Sequence, residues 1–225
     1  MKAVIDTGTM ITLAGTCLMN VFREFVKTNR IELLISGTVA EESVWKPITN
    51  KRFALNAARI KYAMTQQIIK TIPVSSEIAR TQQRILQLAN NIYSTQSGPL
   101  SIIQAGEAEA LAIAKINNVK MLFIDERTTR SLIEDPTRLK QVLERRQEAE
   151  VSINQQNLNS FRAMFPELKM FRSVDIISMA YEQNLFDHEL AHGRLELEAA
   201  LYAAKFAGCA VSEKEIEDYL SHKSE

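Results

Sequence analysis

Carboxylates at the ends of short apolar runs dominate the chemistry this chain can offer. Residues 4–13 read VIDTGTMITL, with Asp6 directly after AVI (3–5). Asp125 follows VKMLFI (119–124) in the same way. Glu41 and Glu42 stand in TVAEESV, and Glu107 and Glu109 in QAGEAEALAIA. Like charges brought together raise one another's pKa and repel unless a cation neutralises them. Hard oxygen ligands in that number suit Mg²⁺ or Mn²⁺. Such ions activate water and stabilise the leaving oxygen in phosphodiester hydrolysis. Each acid alone also has a plainer role: Asp after a strand caps a helix, and Glu in a first turn suits the helix dipole.

Two stretches match other chemistries. Asp6-Thr7-Gly8 reads like an aspartic-protease loop, but that mechanism needs two such loops in a β-rich, glycine-flapped protein, and only one occurs here. HELAH (188–192) places His188 and His192 four apart, the spacing that binds Zn²⁺ from one helix face with Glu189 as base. Glu196 or Glu198 is available as a further ligand. Arg194 stands where zinc peptidases carry an apolar residue, and Asp187 and Gly193 mark a helix end and a loop. A connector holding two histidines is the simpler account.

The acids matter together only if the fold gathers them. Apolar runs AVI (3–5), IELLI (31–35), VKMLFI (119–124) and KMF (169–171) have strand length and alternate with helical segments. That alternation predicts an α/β fold of three layers: a parallel sheet of four to five strands with helices on both faces. In such sheets ligands bind beyond the carboxyl ends of the strands, where Asp6 and Asp125 fall. Ile11, Leu18, Val21, Phe22, Phe25 and Val26 recur at helical spacing up to Asn29. Ser101-x-x-Gln104 reads as a capping box before an Ala-rich helix ending near Asn117–Asn118. Pro136 starts a long charged helix through the 140s and 150s, with mixed signs suited to an exposed face. Gly208 reads as a C-cap, and Ser212-x-x-Glu215 opens a last helix. Residues 46–100 and 131–168 read as helical insertions within one domain, and 174–225 as a helical C-terminal extension. Glu107 and Glu109 point about 200° apart on their helix, so only one reaches a given ion.

Twenty-seven basic and 27 acidic side chains cancel, which excludes a generally basic, nucleic-acid-coating surface and leaves local patches. Arg127 and Arg130 follow Asp125 and would flank the acids; Lys46, Lys51 and Arg52 follow TVAEESV. Cys17 and Cys209 sit in apolar surroundings without C-x-x-C spacing, as buried reduced thiols do. No secretory leader or membrane-length apolar run is visible, so the expectation is a cytoplasmic protein without membrane contact.

In order along the chain, VIDTGTMI, TVAEESV, QAGEAEALAIA, VKMLFIDERTTR and FRSVDIISMAYEQNLF resemble the PIN domain family of metal-dependent ribonucleases. GRLELEAALYAAKFAGCAVSEKEIEDYL resembles the C-terminal extension of certain archaeal PIN-like proteins. The matched pieces cover roughly half the chain, and neither insertion is among them. The resemblance implies Mg²⁺ or Mn²⁺ held by Asp6, Glu42, Glu109 and Asp125, with a metal-activated water cleaving RNA, single-stranded in the first instance. Glu42 fits the family's apolar frame better than Glu41, since Val39 and Val44 flank it. Glu109 fits better than Glu107 because the family's acid directly precedes a small apolar run, here ALAIA. Thr7 and Ser173 are the candidate hydroxyls near the scissile phosphate, and Arg127 and Arg130 its basic contacts. Gly8 replaces the Asn or Ser usual after Thr7, which loosens the first turn. Relatives with an incomplete acid set act as scaffolds for RNA or protein, so that reading stands beside the nuclease. An antitoxin-like protein is one expected partner, and the insertions could pack against a second copy of the chain.

Overall fold

The computed structural model describes residues 1–188 and 190–221, with only the backbone of His188. Eight strands are present among the described residues: β1 (Lys2–Ile5), β2 (Glu32–Ser36), β3 (Ile69–Ile72), β4 (Tyr93–Thr95), β5 (Gly98–Pro99), β6 (Met121–Phe123), β7 (Ser152–Ile153) and β8 (Lys169–Phe171). Five of them form a wholly parallel sheet in the order β3-β2-β1-β6-β8. In register, Val4 faces Leu34 on one side and Leu122 on the other.

Alternation along each strand divides the core in two. Ala3, Ile5, Leu33, Ile35 and Phe123 face one cluster, with the helices Thr7–Gly15, Met19–Thr28, Ala54–Thr65, Ser173–Glu182 and Arg194–Ala207. Val4, Leu34, Leu122, Ile124 and Met170 face the other, with Ser76–Ala89, Ala105–Ile116, Arg127–Glu134, Pro136–Gln147 and Gln155–Arg162. A strand buried on both faces has no polar side to show, which is why these runs are continuously apolar. The architecture is the expected three-layer α/β/α one with a helical C-terminus. No helix among the described residues is long and apolar enough to cross a membrane.

Several local expectations change. The segment 46–100, read as helical, contains β3, which forms one edge of the central sheet. Only Ile69 and Ile72 of IKTI turn inward, three apart, so the strand carries a helix-like spacing. The charged helix from Pro136 stops at Gln147, because Glu148 adopts a left-handed conformation with φ 49°. Val151 is then fully buried and β7 pairs with β4 in a small antiparallel sheet, β5-β4-β7. Tyr93, wholly buried, donates its hydroxyl to the Pro136 carbonyl at 2.8 Å and fastens the segments 46–100 and 131–168 together. The capping box before the Ala-rich helix is Gln104-x-x-Glu107, with Glu107 Oε2 accepting from Gln104 N at 2.8 Å. Cys209 is buried, but Cys17 is exposed in a left-handed turn (φ 62°) between two helices.

The C-terminal helix Glu213–Ser221 is tied to the end of β8 through Arg172, which is 6% exposed. Arg172 donates to the Ala210 carbonyl, Glu215, Tyr219 and Asp175. The Tyr219 hydroxyl in turn donates to Asp175, while Ser212 and Glu215 form the expected capping box. Removing the cation from a buried ion pair strands its partners. Arg172→Ala should therefore lower stability by roughly 3 kcal/mol in urea unfolding and speed amide exchange in residues 213–221. Unchanged exchange there would show that the extension is held by apolar contacts alone.

Candidate functional site

Each strand that bears on the acidic edge runs directly into a helix, and polar side chains make the junctions. After β1, Asp6 Oδ1 accepts from Thr9 N at 2.8 Å and caps the helix Thr7–Gly15. After β2, Ser36 Oγ accepts from Val39 N at 3.0 Å. After β6, Glu126 Oε2 accepts from Thr129 N at 2.7 Å. After β8, Asp175 Oδ2 accepts from Arg172 N at 2.6 Å. Helix N-termini concentrate at one edge, and their dipoles favour negative charge there.

Asp6 and Asp125 leave adjacent strands, with Asp6 N donating to the Phe123 carbonyl at 3.0 Å. Asp125 is 3% exposed, and both its oxygens are engaged by Ser173: Oδ1 by the backbone N at 2.7 Å and Oδ2 by the hydroxyl at 2.8 Å. Asp6, Glu107 and Asp125, together with Glu126, border one cavity of 460 Å³. Gly8, Arg127, Arg146, Gly208 and Ala210 complete its wall. The last two come from the C-terminal extension, anchored where Ala210 N donates to the Asp125 carbonyl at 3.1 Å. The absence of a side chain at Gly8 has a local use: a Cβ there would lie 3.2 Å from Asp6 Oδ2. Oδ1 is taken by the helix cap, and a glycine at position 8 keeps a side chain from crowding Oδ2.

The electrostatics are first those of buried acids and only then of neighbouring ones. Burial pushes the Asp6 carboxyl up to about 7, Asp125 and Glu107 adding to the rise against the opposing Thr9 hydrogen bond. Burial likewise raises Glu107, with Glu126 adding to it and the Gln104 N–H working against it. The Cys209 thiol, buried beside Asp125, is pushed far above its ordinary range, first by burial and then by that carboxylate.

The other expected site residues fall elsewhere. Glu109 is 6% exposed and turned toward the end of β2, where Thr38 Oγ1 donates to its Oε2 at 3.1 Å. Its Oε1 is buried with no hydrogen-bond partner among the described residues. Of the pair that diverges on this helix, Glu107 faces the cavity with Asp6 and Asp125, not Glu109, because its capping bond folds it back to the helix start. Glu41 and Glu42 are exposed; Glu42 Oε2 accepts from Thr7 Oγ1 at 3.3 Å, and neither lines the cavity. Ser173 positions Asp125 rather than facing the cavity itself. Arg127 reaches the cavity, whereas Arg130 pairs with Glu134 at 3.7 Å and borders a separate 650 Å³ cavity beside β8. Arg146 is the residue local reading missed: it belongs to the charged helix read as an exposed face, and only tertiary packing brings it here. Glu126 was legible only as the neighbour of Asp125.

Among the described residues no three His, Cys, Asp or Glu side chains stand close enough together to hold a metal ion. The cavity carries four acids against two arginines, hard oxygen donors of the kind that suit Mg²⁺ or Mn²⁺, while the unpartnered Glu109 oxygen lies outside it. Of HELAH, Glu189 and the His188 side chain lie outside the described residues. Residues 190–193 are not helical, and the His192 ring stacks on Tyr181 at 4.1 Å. The sequence has no significant match to any protein-family model, curated protein or solved structure.

The raised Asp6 pKa makes stability depend on pH. Below about pH 4 the carboxyl is protonated in both folded and unfolded chains. Between 4 and 7 the unfolded chain loses its proton first, so stability falls as pH rises. Asparagine keeps the helix cap without the charge. In EDTA, Asp6→Asn should exceed wild type in stability at pH 8, by up to about 4 kcal/mol, and the gain should vanish near pH 4. Equal gains at both pH values would mean that Asp6 is not destabilised by charge.

Proposed function

We propose that this chain is a PIN-like ribonuclease, hydrolysing RNA phosphodiester bonds with Mg²⁺ or Mn²⁺ at the cavity bordered by Asp6, Glu107 and Asp125. One observation carries the reading: two aspartates ending adjacent parallel strands share a cavity with further carboxylates, and burial, with those neighbours adding to it, lifts Asp6 to about 7. A protein retains so costly a group where a cation is to be received or a proton moved. Asp6 and Asp125 would hold the metal, with Glu107 completing the acidic wall. A bound divalent cation would polarise the scissile phosphate and lower the pKa of water.

The chain's own groups supply the rest. Ser173 locks Asp125 in one rotamer, so its carboxylate does not reorganise when substrate arrives. Arg127 and Arg146 stand on the cavity wall where phosphate oxygens would lie. Glu126 is held to its helix cap and adds negative charge that an anionic substrate alone would not tolerate.

With Mn²⁺ and a single-stranded RNA, wild type should cleave, and Asp6→Asn and Asp125→Asn should each lose about 100-fold or more of the rate. Millimolar Mn²⁺ at pH 7.5 should also raise the wild-type Tm and leave both variants unmoved, since only a site that binds in the folded state stabilises it. Binding-competent protein with no cleavage under several metals would point to a scaffold instead. Glu107→Gln should reduce cleavage more than Glu109→Gln; the reverse order would place the metal on the Thr38 side of the helix, where the family resemblance puts it.

A further inference from the structure

Net neutrality hides a segregation of charge and exposed aromatic surface. Between Ser43 and Gln67 the chain has five basic residues, Lys46, Lys51, Arg52, Arg59 and Lys61, and no acidic one. The same stretch carries exposed aromatics: Trp45 at 43%, Phe53 at 45% and Tyr62 at 53%. Each has a cation 5.4 Å from its ring: Lys61 at Trp45, Arg52 at Phe53 and Arg23 at Tyr62. Leu55, Ala58 and Tyr62 form an exposed stripe at helical spacing, opposite the buried Ala57, Ile60 and Ala63. Helices apolar on two faces are normally covered on both, so this stripe is surface kept for a partner.

We infer that this face, built from residues 43–65 with Arg23, is a base-stacking platform for single-stranded RNA. Unpaired bases stack on aromatic rings while a cationic surface tracks the phosphates. A second copy of this face is disfavoured, because two surfaces with cations and no acids repel when a two-fold axis brings them together. The platform adjoins the acidic edge. Trp45 and Glu42 share the π-helical turn Glu41–Trp45, closed by Lys46 N donating to the Glu41 carbonyl at 2.9 Å. Glu42 touches Thr7, the residue after Asp6. A strand lying on the platform is thereby led toward the cavity. The choice of RNA rests on the proposed function; the binding surface does not depend on cleavage.

Trp45 is the only tryptophan in the chain, so its fluorescence reports this face alone. In EDTA and low salt, a mixed-sequence single-stranded 20-mer RNA should quench Trp45 and bind with a steep salt dependence. Trp45→Ala and Tyr62→Ala, followed by anisotropy of the labelled RNA, should each weaken binding about 5- to 150-fold. Lys61→Glu should weaken it as well, with thermal unfolding of all three variants close to wild type because the residues are exposed. Binding is measured in EDTA, where metal-dependent cleavage is silent, so loss of cleavage and loss of binding are read separately. The proposal fails if RNA binds without changing Trp45 fluorescence, or if the variants bind as wild type. It fails equally if only DNA of the same sequence binds, or if the chain is a dimer that Tyr62→Ala dissociates. Binding by an acidic peptide with none by RNA would reassign the face to a protein partner.

Discussion

A buried aspartate held by a single serine organises this molecule. Asp125 ends the strand at the centre of the acidic edge, and its two oxygens meet the backbone N and hydroxyl of Ser173, the first residue of the helix after β8. That contact sets the end of β6 against the end of β8 and replaces the water the carboxylate lost on burial. Its own carbonyl takes Ala210 N, so the same residue also docks the C-terminal extension. With Asp125 fixed, Asp6 on the neighbouring strand has little freedom: its cap to Thr9 and its backbone bond to Phe123 leave the carboxyl facing a like charge. The raised pKa of Asp6 follows first from its burial, to which Asp125 and Glu107 add.

The C-terminal extension is accordingly part of the site. Gly208 and Ala210 wall the acidic cavity, while Arg172 holds the following helix through Glu215 and Tyr219. Buried polar networks of this sort contribute less to net stability than to specifying one arrangement when every member is satisfied. Here the arrangement encloses the carboxylates from the side that the parallel sheet leaves open.

Charge is distributed by region rather than by total. Acids gather where strands give way to helix N-termini, and bases gather on residues 43–67, which also hold three exposed aromatics. An overall charge of zero therefore says little about anion binding, because screening confines each field to about 10 Å at 0.1 M salt.

Strand–helix alternation, the buried first strands and the positions of Asp6 and Asp125 were legible along the chain, because an apolar run buried on both faces declares itself locally. Helix ends were legible too where Gly208 and Ser212 mark them. The edge strand β3 was not, since only two of its residues turn inward and they mimic a helical spacing. Nor was the break at Glu148, where a non-glycine residue takes a left-handed conformation. Tertiary structure alone decided which glutamate of the Glu107–Glu109 pair meets the aspartates, because a 200° divergence on a helix names two directions but not what lies along them. It also brought Arg146 to the cavity from an apparently solvated helix and turned Arg130 away to Glu134. Sequence spacing carries the direction of a side chain relative to its own element; the packing of elements determines what that side chain meets.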